Sequence, residues 1–388
     1  FFFFTIYISK LRNHNLKGKI IADRKYYFED TPIELNLEIK NEGAPISNVE
    51  FYGLVPENGL LLEKRSVSYY NFDKNEIRII NFNFKLPEAG KYQIGPVRIR
   101  KHDPLGLAYE ESLLPVKETL SIVPKTEHLK KFEYFGNPTK NVVGSVASKQ
   151  TITRGWEFYA LKEYTLGDPM KSINWKATAR LDDVITNQYI YELSSDVVII
   201  FDGRNYGLAY EVTRRLLKLQ ICTAILLAEQ ILNRRDRVGI IICHRTLDKT
   251  PLGSGRKHLL KIIDKLISIS VAPVSYNIEY ISSLFRRFYP PNTKIIFISP
   301  LLDNPSINAV RKLIYDGYSM LIISPSFLPI EYSFIPHNYY IELAYKYAQI
   351  ERECKLKEIA QYAPLIDWNP NYSLEMLLWR NRKWLRKF

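Results

Sequence analysis

Residues 197–206 read VVIIFDGRNY, an apolar run that ends at Asp202 and continues as polar sequence. An unbroken apolar run of this length is typical of a strand that is buried on both faces in a parallel sheet. Open α/β sheets bind ligands and metals at the carboxyl ends of such strands. The stretch therefore predicts an α/β domain, and it raises the question of whether Asp202 binds a metal or takes part in chemistry.

The sequence that follows supports the same fold class. The apolar runs VVIIF, VGIIIC, KIIFIS and MLIIS alternate with segments of helical period, such as AYEVTRRLLKLQICTAILLAEQILNR at residues 209–234. Strands that alternate with helices require a mostly parallel sheet that is covered on both faces. We predict a doubly wound α/β domain over residues 196–388, with Asp202 at the end of its first strand.

The N-terminal third has a different period. In IELNLEIKN (residues 33–41) and RIINFNFKL (78–86), apolar and polar residues alternate, which is typical of half-buried strands. Turn signals such as EGAP and PEAG separate the strands at short intervals, as they do in a β-sandwich. We predict an all-β domain over residues 19–124.

The chain begins FFFFTIYISKLRNHNLKGK, in which mostly apolar residues precede several Lys and Arg residues. The apolar run is too short to cross a bilayer, which takes about 20 residues. We interpret residues 1–18 as the end of a membrane anchor, and the basic residues beside it indicate that the folded domains face the cytoplasm. The alternative is a β-strand or a disordered apolar start.

Charge and cysteine usage narrow the function classes. The net charge of +13 implies an anionic partner, which is nucleic acid, an anionic membrane surface or an acidic protein. The three cysteines, Cys222, Cys243 and Cys354, form no CxxC pair, which argues against a disulfide framework or a zinc site and suits a reducing compartment. The six histidines are scattered, and we predict no cofactor.

Residues 125–195 connect the two predicted domains, and residues 155–180 within them read GWEFYALKEYTLGDPMKSINWKATAR. This stretch, the signature segment, contains the candidate binding residues Glu157, Glu163, Tyr164, Gly167, Asp168, Trp175, Lys176 and Arg180. Its carboxylates are candidates for acid–base work, but the neighbouring Lys and Arg residues favour an ion-pair network. We expect Trp175 to be buried and the segment to lie across a sheet edge formed by residues 185–192.

The signature segment resembles that of the prokaryotic domain of unknown function number 58 (DUF58), which usually reads G-x-E-F, R-E-Y, G-D, R-x-I-D-W and K-A-S-A-R. Lys162 and Lys171 stand where that family commonly has Arg, and Asn174 stands where it has Asp. The segments GKYQIGPVRIRKHDPLGL (residues 90–107) and LIDWNPNYSLEMLL (365–378) are similar to two further parts of the family.

The resemblance implies an N-terminal membrane anchor, an immunoglobulin-like β-sandwich and a von Willebrand factor A-like α/β domain. It also implies a partner, because the genes of this family typically neighbour MoxR-type AAA+ ATPases, and it implies no established catalytic activity. The sequence itself contains no Ser-His-Asp set, phosphate loop or metal-ligand spacing. We therefore expect a non-enzymatic, membrane-anchored adaptor. The alternatives are a metal-dependent hydrolase and a basic nucleic-acid-binding protein.

The same resemblance bears on Asp202. A-domains that bind Mg²⁺ carry D-x-S-x-S at this strand end, and this chain has Asp202, Arg204 and Tyr206 instead. A guanidinium group is a donor only and cannot ligate a cation. Pro300 stands where metal-binding A-domains commonly place Asp, with Asp303 further on, and Thr250 or Ser254 remain as hydroxyl candidates. We predict that Asp202 pairs with Arg204 or caps the following helix, and that no metal is bound.

The chain closes with SLEMLLWRNRKWLRKF, residues 373–388, a basic and aromatic stretch with an apolar helical face. Basic amphipathic helices of this kind can lie in a membrane interface. The alternatives are that the apolar face packs on the α/β domain, or that the helix contacts a membrane or a protein partner.

Overall fold

The computed structural model describes residues 15–52, 55–56, 58–62, 69–102, 109–125, 141–144, 157–166, 168, 170–192, 195–273 and 276–381. The chain divides into two compact units, residues 1–126 and 127–388. The predicted membrane anchor falls mainly on residues 1–14, which lie outside the described part of the chain. The first strand already begins at Leu16, within the predicted anchor segment.

The first unit is built from strands, and its described residues include no helix. The strands are β1 (Leu16–Ala22), β2 (Tyr26–Phe28), β3 (Pro32–Asn41), β4 (Ile46–Tyr52), β5 (Leu60–Leu61), β6 (Tyr70–Phe72), β7 (Ile77–Lys85), β8 (Gly90–Ile94), β9 (Val97–His102), β10 (Tyr109–Leu114) and β11 (Glu118–Val123). Two four-stranded sheets have the orders β1-β3-β7-β5 and β10-β9-β4-β6, and a third sheet has the order β2-β11-β8.

The core of this unit follows the alternation read from the sequence. The alternating apolar residues Ile33–Ile39 of β3 and Ile80–Phe84 of β7 point to one side and are buried, while the residues between them are more exposed. They share one core with Val49 of β4 and Val97 of β9 from the other large sheet, both of which are fully buried. Two sheets that bury one core between them form a sandwich, so the predicted sheet-rich N-terminal domain is confirmed.

The second unit contains strands and helices in alternation. Its strands are β12 (Asn141–Gly144), β13 (Glu157–Glu163), β14 (Ile185–Glu192), β15 (Asp196–Asp202), β16 (Arg237–Cys243), β17 (Leu247–Gly253), β18 (Lys294–Ile298), β19 (Met320–Pro325) and β20 (Leu365–Trp368). Its α-helices are α1 (Trp175–Leu181), α2 (Tyr210–Asn233), α3 (Arg256–Leu266), α4 (Ile281–Phe288), α5 (Asn304–Tyr315), α6 (Leu328–Tyr332), α7 (Tyr339–Ala360) and α8 (Leu374–Arg380). Two short 3-10 helices span Met170–Ser172 and Ile278–Tyr280.

The main sheet of the second unit has the strand order β17-β16-β15-β18-β19-β20. All neighbouring strands are parallel except the edge strand β17, which runs antiparallel to β16. Counted from β15, the order is 3-2-1-4-5-6, which is the order of doubly wound sheets. The strand order reverses between β15 and β18, and this switch point is where such sheets bind ligands.

Both faces of this sheet are covered, as the uninterrupted apolar runs predicted. In β15, Val198 and Ile200 belong to one core cluster with residues of α4, α5 and α7. Ile199 and Phe201 point to the other face, where α2 packs, and are also fully buried. The predicted α/β organisation of the C-terminal region is therefore confirmed.

Helix α2 is the only helix among the described residues that is long and apolar enough to cross a membrane. Within the second unit, 61% of its apolar window is buried. Its buried residues include Ala224, Leu227 and Ile231, which lie along one side of the helix. This is the burial expected of a central helix that packs on a sheet.

The second sheet of this unit has the order β12-β14-β13, and all its pairs are antiparallel. We expected residues 185–192 to form an edge strand. This expectation was wrong, because β14 (Ile185–Glu192) is the central strand and pairs with β12 on one side and β13 on the other. The residues of β12 lie far upstream in the sequence, so no local pattern indicated this pairing.

Candidate functional site

Asp202 lies at the switch point of the main sheet. It is the last residue of β15 and is fully buried. The neighbouring strand β18 ends at Ile298 and is followed directly by Ser299, so the carboxyl ends of the two strands meet here. Gln220 of α2 donates a hydrogen bond from its side-chain amide to the backbone oxygen of Asp202, at 2.9 Å, which ties the helix to this point.

Arg204 occupies the space beside this carboxylate. Its Nε lies 2.8 Å from Asp202 Oδ1 and its Nη2 lies 3.2 Å from Oδ2, so the pair is bidentate. The same guanidinium donates to Asp303, with Nη1 2.9 Å from Oδ2 and Nη2 3.1 Å from Oδ1. The predicted Asp202–Arg204 pair is confirmed. The alternative, in which Asp202 caps the next helix, is wrong because α2 begins after Ala209 and has no side-chain cap.

Three hydroxyl groups complete the arrangement. Ser299 Oγ donates to Asp202 Oδ2 at 2.6 Å, and the hydroxyl of Tyr206 donates to the same oxygen. Ser306 donates to Asp303, whose side chain also accepts from the backbone N–H of Ser306 at 3.2 Å. We call this set the strand-end cluster: Asp202, Arg204, Tyr206, Ser299, Asp303 and Ser306.

The electrostatics of the cluster depend on one cation between two carboxylates. Burial lowers the pKa of Arg204, but the charge and hydrogen bonds of Asp202, together with Tyr206 and Asp303, outweigh this effect and raise the pKa well above its usual value. Burial raises the pKa of Tyr206 strongly, and the charge of Asp202 adds to the rise, so the phenol stays a neutral donor. For Asp303, burial opposes ionisation, yet the hydrogen bonds from Arg204 and Ser306 lower the pKa below its usual value.

These contacts do not fit a divalent cation. The carboxylate oxygens that a hard cation such as Mg²⁺ would need are bound to the guanidinium and the hydroxyl groups. Among the described residues, no group of three or more His, Cys, Asp and Glu side chains is arranged to hold a metal. Thr250 lies on β17 opposite Ile240, two strands from β15, so it does not serve as a ligand next to Asp202.

The loop between β18 and α5 positions Asp303. Leu301 adopts a positive φ of 52° and is buried, a backbone conformation that non-glycine residues rarely take. Arg352 of α7 holds the loop by donating to the backbone oxygen of Pro300 at 2.9 Å. Asp303 is then the N-cap of α5, followed by a proline in the first turn. Such strain persists only where surrounding contacts over-determine the backbone, as they do here.

Sequence reasoning missed Ser299 and Ser306. Ser299 follows its strand directly, just as Asp202 ends β15, and the strand order places the two side by side. The residues DNPS at positions 303–306 carry a local signal, because Asp at an N-cap bonds the backbone N–H three residues on. What no local pattern showed is that this cap also faces Arg204.

A cavity of about 270 Å³ lies next to the cluster at the carboxyl edge of the sheet. Its walls come from the loops after β15, β18 and β19 and from α7. They combine apolar residues such as Leu301, Phe327 and Leu328 with the charged residues Glu351, Arg352 and Lys355. The Arg352 guanidinium is already bound to Asp367, at 2.8 Å, and to Ser324. The cavity is therefore a pocket of mixed apolar and charged lining beside a satisfied polar cluster.

The signature segment forms β13, a loop, a 3-10 helix and α1. Asp168 pairs with Lys162 at 2.7 Å and accepts hydrogen bonds from the backbone N–H and the hydroxyl of Thr165, at 3.1 and 2.9 Å. Glu163 is exposed, and the backbone N–H of Tyr164 donates to Val184 at 2.7 Å. The side chain of Glu157 and the whole of Gly167 lie outside the described residues.

Trp175 is exposed, so the prediction that it is buried was wrong. It is the first residue of α1, and 67% of its surface is accessible. The helix is held without it: Asn174 accepts a hydrogen bond from Ala177 N–H at 3.0 Å, and Thr178 accepts one from Ile185 N–H at 3.1 Å. No residue of α1 is fully buried.

Six large apolar residues between positions 158 and 181, in the signature segment and at the end of α1, are exposed, and we call this set the signature face. Its members and their exposed fractions are Phe158 58%, Leu161 46%, Leu166 101%, Met170 76%, Trp175 67% and Leu181 60%. Lys171, Lys176 and Arg180 lie between members of this set in the sequence and are also exposed. Of the sequence-predicted candidates, Trp175, Lys176 and Arg180 thus share α1, whereas Asp202 and its partners lie in a separate cluster.

A family model described as "Protein of unknown function DUF58" matches residues 160–314. The match begins in the signature segment, includes Asp202 and Asp303, and ends within α5. It supports the DUF58 family. No curated protein matches the chain.

Solved structures show only distant similarity. The CARDB domain of a Pyrococcus furiosus protein is 12% identical. The match covers 29% of this chain and 96% of the CARDB chain, with a TM-score of 0.21. An aerotolerance-related membrane protein from Bacteroides fragilis is 17% identical over 34% of this chain and 67% of its own, with a TM-score of 0.24. Manganese-loaded TRAP protein from Plasmodium vivax is 13% identical. The match covers 34% of this chain and 57% of the TRAP chain, with a TM-score of 0.25. Similarity at these values carries no inference about function.

Proposed function

We propose that this protein is a non-catalytic, membrane-anchored adaptor whose signature face docks a MoxR-type AAA+ ATPase during the assembly or maturation of a complex. The proposal includes an immunoglobulin-like first unit and a von Willebrand factor A-like second unit. The parallel sheet with one antiparallel edge strand and an Asp at the end of its first strand supports the second assignment.

The observation that carries this proposal is the exposure of Trp175 together with Leu166 and Met170. Contiguous groups of large apolar side chains that a folded unit leaves in water mark surfaces that another protein covers, and we propose that these residues form such a group. Aromatic residues and Met are enriched in the buried centres of protein interfaces, and Trp is frequent among the residues that dominate binding energy. The basic residues Lys171, Lys176 and Arg180 around them favour a partner with an acidic surface.

The strand-end cluster supports a role without catalysis. Its potential nucleophiles, Ser299 and Ser306, each donate to a carboxylate that is bound to Arg204 and is therefore a poor general base. Burial raises the pKa of the Cys243 thiol well above its usual value, which disfavours the thiolate. Buried and paired groups of this kind hold the ends of the strands together through hydrogen bonds and ion pairs and do not react.

The membrane part of the proposal rests on the two ends of the chain. The apolar N-terminal residues are followed by Lys and Arg, which favours a cytoplasmic position for both units. At the other end, α8 buries Leu374 and Leu378, while Met376 and Trp379 remain 59% and 50% exposed. The helix therefore packs on its own unit and still presents an aromatic face to a membrane or a partner.

The test is co-purification of the ATPase with the full chain from membranes. We expect Trp175→Ala and Met170→Ala, alone and together, to abolish co-purification while the melting temperature stays unchanged, because neither side chain is buried. Tyr315→Ala is the matched control, since Tyr315 is 92% exposed on α5 and lies outside the signature segment. Wild-type binding by the double variant would refute the proposed docking surface.

A further inference from the structure

Helix α7 carries apolar residues on two opposite sides. One side packs on the second unit, where Arg352, Leu356 and Ile359 are buried. The other side is in water: Tyr340 is 79% exposed, Leu343 56%, Tyr347 70% and Ile350 61%, and Cys354 is exposed as well. We call these five residues the α7 seam.

The spacing of the seam is three, four, three and four residues, which is the a and d pattern of a coiled coil. At about 100° per residue, the seam lies opposite the side through which α7 contacts its own unit. The helix has 22 residues, and its first three turns include no buried residue. A helix whose N-terminal half is held this weakly gains most of its stability from packing, so a covering helix is expected.

The charges beside the seam indicate what that helix is. Lys346 and Glu353 are seven residues apart on the same flank. Both side chains are exposed, and each forms a surface ion pair within α7, Lys346 with Glu342 at 2.8 Å and Glu353 with Lys357 at 3.9 Å. If two copies of α7 pack antiparallel about a two-fold axis between Ala348 and Gln349, Lys346 of each copy faces Glu353 of the other. The same axis places Tyr347 of each copy opposite Ile350 of the other, so the same surface of both copies forms the interface.

A parallel pairing fits less well. In parallel coiled coils, a residue on this flank faces the residue five positions further along the second helix. Lys346 would then face Glu351, but Glu353 would face Glu358 of the second copy, so one attraction and one repulsion would cancel. Only the antiparallel arrangement matches both charges on the flank.

We propose that the α7 seam is the interface between two copies of this chain, which pair as antiparallel helices about an axis between Ala348 and Gln349. The interface is separate from the signature face, so the dimer can form whether or not the ATPase docks there. Tyr side chains supply large contact area at low entropic cost, which suits them to the centre of such an interface.

Charge reversal on the full chain tests the pairing by sedimentation equilibrium. The monomer has a mass of 45.4 kDa, and we expect a dimer. Lys346→Glu places two acidic pairs across the axis and Glu353→Lys places two basic pairs, so each should raise the dimer dissociation constant about tenfold. Combining both changes restores opposite charges across the axis and should return the dimer dissociation constant to the wild-type value. A monomeric wild-type chain, or a double variant as weak as the single ones, would overturn the proposal.

Cross-linking tests the direction of the helices. In the antiparallel arrangement Leu343 lies opposite Cys354 of the second copy, whereas the two Cys354 residues lie about 16 Å apart along the axis. Leu343→Cys should therefore give a covalent dimer with a short bis-maleimide, and the wild-type chain should not. Glu342→Cys is the control, because it is exposed but points away from the seam.

Cross-linking of wild-type Cys354 to itself would indicate parallel helices and overturn the arrangement. Other occupants give other results. If the seam instead binds lipid, the chain stays monomeric and Tyr347→Ala reduces binding to phosphatidylcholine–phosphatidylserine vesicles. If the seam binds a different protein, combining Lys346→Glu with Glu353→Lys does not restore binding. Trp175→Ala leaves dimerisation unchanged in every case, which separates this proposal from the proposed ATPase docking.

Discussion

The strand-end cluster and the signature face are opposites in composition and environment. The cluster is polar and buried, with Asp202 fully buried and Arg204 8% exposed. The signature face is apolar and in water, with Trp175 67% and Met170 76% exposed. Each region reverses the usual preference of its residues for water or for the interior. Such reversals mark places where an interaction other than simple burial decides the structure.

The two regions resolve that conflict differently. In the cluster, each buried charge has a partner within the same unit, so the cost of removing charges from water is offset internally. The apolar side chains of the signature face are not covered in the same way, because no residue of α1 is buried. Substitutions in the cluster should therefore change stability, whereas substitutions in the signature face should change binding.

The largest effect is expected at Arg204. Arg204→Met removes the one cation between Asp202 and Asp303 and leaves the buried carboxylate of Asp202 and the partly exposed carboxylate of Asp303 without a cationic partner, which should lower the free energy of unfolding by about 3–5 kcal/mol. Urea unfolding measures this loss of unfolding free energy. Arg214→Met is the matched control, because Arg214 pairs with Glu211 on the surface of α2, where a pair contributes about 0–1 kcal/mol. Equal losses in the two variants would contradict the structural role of the cluster.

A smaller effect is expected from Mg²⁺. In Arg204→Ser the oxygens of Asp202, Asp303, Ser299 and Ser306 lose the guanidinium and can face a hard cation. The variant should be stabilised by Mg²⁺, by about 1.4 kcal/mol at a concentration ten times the dissociation constant. The wild-type chain should melt at the same temperature with and without Mg²⁺. Stabilisation of the wild type that is lost in Asp202→Ala would show that the cluster holds a cation after all.

A further effect depends on pH. The folded-state pKa of Asp303 lies below its usual value because hydrogen bonds from Arg204 and Ser306 outweigh the opposing effect of burial. A lowered carboxyl pKa stabilises the fold above the unfolded pKa of about 3.9, and this stabilisation is lost as the pH falls through the lower folded value. The stability difference between the wild type and Asp303→Asn should thus be constant near neutral pH and shrink below about pH 4. A difference that grows on acidification would contradict this sign.

The smallest effect on stability is expected at Trp175. Because the side chain is 67% exposed, Trp175→Ala should change the free energy of unfolding by less than about 0.5 kcal/mol. Thermal melting of the same sample used for co-purification measures it. A loss of several kcal/mol would mean that the residue packs as a core side chain, and the contrast between the two regions would disappear.

Much of the fold was predictable because its signals are local. The two-residue alternation in β3 and β7 and the apolar runs of β15 and β18 each report how many faces of a strand are buried. The pairing of Asp202 with Arg204 was predictable for the same reason, since the two residues lie two positions apart at one strand end. The central position of β14 was not, because its partner β12 is remote in the sequence.

The sequence by itself determined the periods, the strand ends and the unsuitability of Arg204 as a metal ligand, since these depend on residue type and short spacing. The tertiary structure alone decided that Ser299, Asp303 and Ser306 meet Asp202, because about a hundred residues separate them and only the strand order brings them together. It also decided that Trp175 faces water. A side chain's environment is set by what packs against it, and the described residues leave 67% of the surface of Trp175 accessible.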